Sequence, residues 1–299
     1  MCDADMIYFS KKIKKYSFIL GISLSFLYFI HSADCRVNGE SRPTRLEKLE
    51  KRGYVRIGLS NEPPWTVIDA DGQVGGAGPD LTHAVFQRMG VSELQGVLST
   101  FGGLIPGLLA GRSDAISSGL FIQPGRCQAV AFSEPDLCDR EAFLMKEDMP
   151  LALKTYHDLA TNSSLHVGVP AGGTEEREAL AAGVPASRLV PVPDGPSGMI
   201  MLLAGRIQVY SLPASSAQHL VDLWRGQNFS LVTVEDAPVM CAGTAFSPNA
   251  VDLRNAYDRV LAKLKADGTY DRILRAHGFD PSLARGHTRE EFCRGKESL

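Results

Sequence analysis

Val55, Ile57 and Leu59 alternate with Arg56, Gly58 and Ser60, the period-two pattern of a half-buried strand, directly after a charged lead-in at 45–52. Asn61-Glu62-Pro63-Pro64-Trp65 reads as a loop leaving the C-terminal end of that strand, because successive prolines cannot serve a sheet interior, and Asp69-Ala70-Asp71-Gly72 marks the next turn. After Asp80 the period lengthens: Leu81, Ala84, Val85 and Met89 share one helical face that ends at Gly90. A strand at Ala115-Ile116, a short helix opened by Pro124-Gly125-Arg126 and a strand over 141–145 follow. A second unit over 151–238 alternates strand 166–169, helix 174–182, strand 189–192, helix 198–204 and strand 207–210. After a strand at 240–246 comes the clearest helix, 251–267, with Leu253, Ala256, Tyr257, Val260, Leu261 and Leu264 on one face, Asn249 as its N-cap and Gly268 as its stop. Strands alternating with helices in this way predict an α/β fold.

A chain of 299 residues has room for two domains of about 150 residues each. Hydrophobic residues at 44% and charged residues at 22% make a sizeable core affordable and exclude a disordered or low-complexity chain. A net charge of -3 without a basic stripe argues against nucleic acid as a partner. At the N-terminus, Lys11, Lys12, Lys14 and Lys15 precede an apolar run over 16–30, and the small residues Ser32 and Ala33 follow. That is the order of a secretory signal, and the run is short of the roughly 20 residues of a membrane span. Residues 1–33 are therefore read as a signal peptide, which directs the mature protein to the periplasm. Asp34 stands where a small residue precedes an acylated cysteine, which weakens lipid anchoring at Cys35.

Cys127, Cys138, Cys241 and Cys293 remain in the body of an exported chain, so two disulfides are expected. Of three possible pairings we expect Cys127 with Cys138 and Cys241 with Cys293. No C-x-x-C pair occurs and the histidines are scattered, so neither a metal nor a cofactor is expected. Familiar catalytic motifs (G-x-S-x-G, H-E-x-x-H, a Walker A loop) are absent, and Gly75-Gly76-Ala77-Gly78 lacks the third glycine of a dinucleotide fingerprint. What stands out is a set of aromatic, charged and hydroxyl residues at strand ends and loops: Glu62, Trp65, Phe101, Phe121, Arg126 and Thr174. Ligands of open α/β sheets bind outside the carboxyl ends of strands, where these residues would converge. Each also has an ordinary reading: the aromatics as core, Glu62 and Arg126 as solvated or ion-paired surface, Thr174 as a helix cap, and Glu175 and Glu176 as first-turn acids favoured by the helix dipole.

Several segments occur in the order found in polar-amino-acid-type solute-binding proteins of ABC importers, which the chain resembles. They are Gly53-Tyr54-Val55-Arg56-Ile57-Gly58, Gly78-Pro79-Asp80-Leu81, Gly111-Arg112-Ser113-Asp114-Ala115-Ile116, Arg126, Phe132-Ser133-Glu134-Pro135 and Gly172-Gly173-Thr174-Glu175. Asn61-Glu62-Pro63-Pro64-Trp65, Gly119-Leu120-Phe121, Arg126-Cys127, Cys138-Asp139, Gly173-Thr174-Glu175-Glu176 and Tyr210-Ser211-Leu212-Pro213 look more narrowly like the members that bind ectoine and hydroxyectoine. The likeness runs from Arg52 to Cys293. It implies a type II two-lobed periplasmic-binding-protein fold with a two-strand hinge, lobe 1 from 36–137 and 242–299, lobe 2 from 138–241. It also implies a monomer that closes on a small zwitterion and hands it to a membrane permease.

Such a ligand, a ring with a delocalised amidinium and a carboxylate, needs aromatic faces, an anion and a cation. Trp65, Phe101 and Phe121 can supply the faces, Glu62 the anion, Arg126 a planar fork for the carboxylate, and Thr174 a hydroxyl and a helix N-terminal N–H. Amino-acid binders of this family usually carry an aspartate for the α-ammonium group where this chain has Pro213, and a primary amine buried there would lose its partner. Two alternatives remain: an amino-acid binder on the same fold, and a periplasmic enzyme resembling cyclohexadienyl dehydratase with Glu62 as general acid.

Overall fold

The structure, a computed structural model, describes residues 43–294 except 70, 150 and 151. The signal-peptide reading of 1–33 and the question of Cys35 lie outside the described residues. Two five-stranded sheets organise the rest. In the first, Glu93–Leu98, Tyr54–Leu59 and Ala115–Ile116 run parallel, and Ala245–Phe246 lies antiparallel between Ala115–Ile116 and Ala131–Phe132. In the second, Leu189–Val192, Val167–Pro170 and Val209–Pro213 run parallel, and Glu141–Lys146 lies antiparallel to both Val209–Pro213 and Phe229–Thr233. Between them the chain crosses twice, through Leu137–Asp139 and Met240–Ala242, which pair as a two-stranded antiparallel ribbon. The protein is thus two α/β lobes joined by two strands.

Helix Val251–Ala266 fastens the first lobe by burying Leu253, Ala256, Tyr257, Leu261 and Leu264, five of the six positions its pattern marks. Its N-cap is Ala250; Asn249 instead accepts from Ser247 Oγ at 2.9 Å and from the Arg45 guanidinium. The first helix after the loop starts at Ala77, ahead of Asp80, because the carbonyls of Pro64 and Trp65 accept its opening N–H groups at 3.0 Å. The strand expected over 240–246 breaks at Gly243-Thr244, where the Thr244 N–H leaves the ladder to donate to Ser133 Oγ and Asp136 at 2.9 and 2.7 Å. The charged lead-in is helix Arg45–Arg52, started by a capping box in which Thr44 and Glu47 satisfy each other's backbone N–H groups. Strand Phe229–Thr233 and helices Tyr156–Thr161 and Ala214–Leu223 complete the second lobe, whose sheet buries Phe143 and Met145 on one face and Ala142 and Leu144 on the other.

Two disulfides form, but not in the pairing expected. Cys138 joins Cys241, and Cys127 joins Cys293. Cys138 and Cys241 face each other in the crossing ribbon, with Cα atoms 4.0 Å apart, a neighbour relation that only the three-dimensional register reveals. Cys293 sits on the terminal helix Arg289–Arg294, which packs against the short helix Pro124–Cys127. Among the described residues no group of side chains could hold a metal, and no helix is long and apolar enough to cross a membrane.

Candidate functional site

The loop after the first strand folds back on itself through backbone bonds exchanged by Glu62 and Thr66 at 3.1 and 3.0 Å, closing the two prolines into a tight turn. Glu62 points across to the other lobe, where Ser216 on helix Ala214–Leu223 donates to its Oε1 at 3.2 Å. Trp65 is 1% exposed and meets Phe121 edge to face with centroids 5.5 Å apart. It is therefore core and cleft wall at once. Gly119 lies flat against the indole with φ at +62°, and a Cβ there would sit 2.8 Å from the Trp65 ring. Only glycine satisfies both the backbone angle and that approach.

From the second lobe, the turn Ala171-Gly172-Gly173 brings Thr174 and Glu175 to the cleft at the start of helix Glu175–Ala181. Thr174 occupies the N-cap position but makes no side-chain cap bond, and its buried hydroxyl has no partner among the described residues. Glu62, Trp65, Phe101, Phe121 and Thr174 line one narrow cleft together with Glu175 and Pro213. Arg126 stands at its rim. Its guanidinium donates to the Phe121 carbonyl at 2.9 Å and, across the lobes, to the Gly172 carbonyl at 3.0 Å, and lies 5.4 Å from the Phe101 ring centre. All six residues singled out from the sequence thus meet at one place. A roomier groove over helix Val251–Ala266 contains none of them.

Glu175 lines this cleft, Glu141 is the strand partner of Pro213 in its wall, and neither is among the residues singled out from the sequence. Glu175 is 2% exposed rather than a solvated first-turn acid, and its Oε2 has no partner among the described residues. The signal was helical spacing: Glu175 stands four residues before buried Ala179 and shares its inward face, while Glu176 turns away. Glu141 begins its strand directly opposite Pro213, 1% exposed, and neither carboxylate oxygen has a partner among the described residues. Burial pushes the Glu62 carboxyl up to about 7, against the Ser216 hydrogen bond and with a further push from Asp139. Burial also pushes Glu175 up to about 7, with Glu62 raising it and Arg126 lowering it. Glu141 is held well above the ordinary range by burial and then by Glu175, Asp139, Glu178 and Glu62. Arg126 is brought down to about 10 by burial, with Glu175 opposing, and stays charged at neutral pH. The carboxyls of Glu62, Glu175 and Glu141 crowd one another, and of these Glu175 acts on the Arg126 guanidinium, so the cleft favours a cation that comes with an anion for the arginine.

The model of one family, the bacterial extracellular solute-binding proteins, family 3, matches residues 55–280. The chain belongs to that family. This family 3 protein is 30% identical over 260 residues to the "Probable amino-acid ABC transporter periplasmic-binding protein y4tE" of Sinorhizobium fredii, covering 83% of this chain and 85% of that one. Among solved structures, EhuB in complex with hydroxyectoine is 49% identical, with a TM-score of 0.81 and coverage of 84% of this chain and 98% of that one. An ancestral amino-acid-binding protein described as a precursor of cyclohexadienyl dehydratase, AncCDT-1, is 26% identical with a TM-score of 0.69, over 79% of this chain and 99% of that one.

Proposed function

We propose that this family 3 protein is the periplasmic capture component of an ABC importer and that its ligand is ectoine or hydroxyectoine. The observation that carries the reading is the cleft itself: the Arg126 fork at its rim, the carboxyls of Glu62 and Glu175 in its lining, with Glu175 Oε2 lacking a partner among the described residues, and aromatic rings beside them. An amidinium spreads one positive charge over two N–H edges, which suits two separate carboxylates and the face of a ring better than a point ammonium does. Its carboxylate takes Arg126 together with the Thr174 hydroxyl. The likeness to EhuB supports this choice over the amino-acid reading suggested by y4tE. Pro213 in the cleft wall offers an α-ammonium group no carboxylate of its own.

In this reading the lobes, 36–137 with 242–299 and 138–241, close about the crossings near 138–141 and 240–243. Arg126 to Gly172 and Ser216 to Glu62 are the bonds that latch the closed form. The protein binds as a monomer, performs no chemistry on its ligand and passes it to a membrane permease. Co-crystallisation with hydroxyectoine tests the orientation. The carboxylate is expected on Arg126 and Thr174 with the ring between Phe101, Phe121 and Trp65, and a ligand lying outside this cleft would refute the assignment. Turnover of arogenate or prephenate by the purified protein would establish the enzymatic alternative instead.

A further inference from the structure

Residues 281–294 lie beyond the segment that the family model matches, yet they form a built part of the first lobe. The terminal helix Arg289–Arg294 is fastened at its start by a single arginine. Arg289 pairs with Glu134 at 3.0 Å and with Asp258 at 2.9 Å, and donates to the Phe132 carbonyl at 2.9 Å. Near its end the helix is fastened by the disulfide from Cys293 to Cys127. Cys127 closes the four-residue helix Pro124–Cys127 and is the chain neighbour of Arg126.

A single turn of helix has no stability of its own, because nucleation fixes several residues for one hydrogen bond. This turn has no side-chain cap and buries none of its residues fully. The direction of the Arg126 fork therefore depends on whatever holds the turn from outside. Phe101, Ile105, Cys127, Phe292 and Cys293 all pack against the core that includes Leu104, Leu108 and Ile122, so the terminal helix, the turn that carries Arg126 and the ring beside its guanidinium share one core. A bidentate carboxylate contact tolerates displacements of only about 0.5 Å before it degrades.

We propose that the terminal helix, acting through the Cys127–Cys293 bond, is a positioning device for Arg126 and sets the affinity for the ligand's carboxylate. The inference rests on the reading of Arg126 as the carboxylate binder. The competing account is that the bond only stabilises the fold by closing a long loop. A double-mutant cycle separates the two, because residues that act through one another are not additive. Titration calorimetry with hydroxyectoine is made on the parent, the Cys127→Ser/Cys293→Ser pair, Arg126→Ala and the triple variant, all below their melting transitions.

Loss of the bond is expected to weaken binding about tenfold when Arg126 is present and less than about twofold when it is alanine. Equal losses in both backgrounds, or no loss beside Arg126, overturn the positioning role while the ligand reading stands. An Arg126→Ala protein that binds as tightly as the parent overturns both. Should the serine pair fail to fold, Cys127→Ala with Cys293→Val keeps the seam apolar and carries the same expectations.

Discussion

Arg126 and Glu62 are both carried by the first lobe at the cleft, and each is enclosed enough for burial to move its protonation equilibrium. Removing either leaves the ligand's matching charge desolvated without a partner, a cost on the order of 2–5 kcal/mol. Arg126→Ala and Glu62→Ala are therefore expected to weaken hydroxyectoine binding by at least about tenfold in calorimetry. Glu176→Ala, one residue beyond the cleft wall, is expected to leave affinity unchanged within about twofold. The pH dependence follows from the same groups. Glu62 and Glu175 sit at about 7 in the folded protein against an ordinary value of 4.5. The folded, ligand-free protein thus holds more protons than its unfolded chain between those values, and its stability falls as pH rises through that window. A bound cation needs these carboxyls ionised, so affinity moves the opposite way, rising roughly tenfold per titrating carboxyl between pH 6 and pH 8. Calorimetry at the two pH values checks the rise, and an affinity that is flat or falls with pH would show that neither acid meets the cation.

The elements that build the site were unequally legible in the sequence. The strand at Tyr54–Leu59 and the long helix Val251–Ala266 follow from period alone, since each buries one face and its apolar residues mark that face. The Pro-Pro loop and the Gly-Gly-Thr turn are legible because their residues restrict the backbone, which puts Glu62, Trp65 and Thr174 in loops at strand ends. Glu141 was not legible: its burial follows from the register that sets it opposite Pro213, and nothing local distinguishes it from a solvated acid. The disulfide pairing escaped for the same reason, because Cys138 and Cys241 are 103 residues apart in the chain and neighbours only across the ribbon. That bond ties together the two strands that join the lobes. Replacing both cysteines with serine is expected to cost about 2–5 kcal/mol of folding stability, read as a lower denaturant midpoint, and an unchanged midpoint would show that the ribbon holds without it. Gly119→Ala is expected to lower both stability and affinity, since its Cβ would displace the Trp65 indole; wild-type affinity in that variant would show that Trp65 is core only.

At the scale of the whole molecule, the two lobes meet through few polar bonds, and the most consequential of these, Arg126 to Gly172 and Ser216 to Glu62, come from residues that the ligand itself would engage. In the proposed reading, closure and recognition therefore draw on the same groups. A ligand favours the closed form only through contacts it makes better there, and here those contacts are charges facing it from both lobes. In the proposed reading an α-amino acid brings its ammonium group to Pro213, which offers no carboxylate, whereas a ring amidinium with a carboxylate is matched by Glu62 and Glu175 and by Arg126. Titration calorimetry of the mature protein with hydroxyectoine, ectoine and arginine tests this most directly. Saturable one-to-one binding of the two ring zwitterions is expected, with arginine at least about a hundredfold weaker; tight binding of arginine with no heat from either ring zwitterion would contradict it.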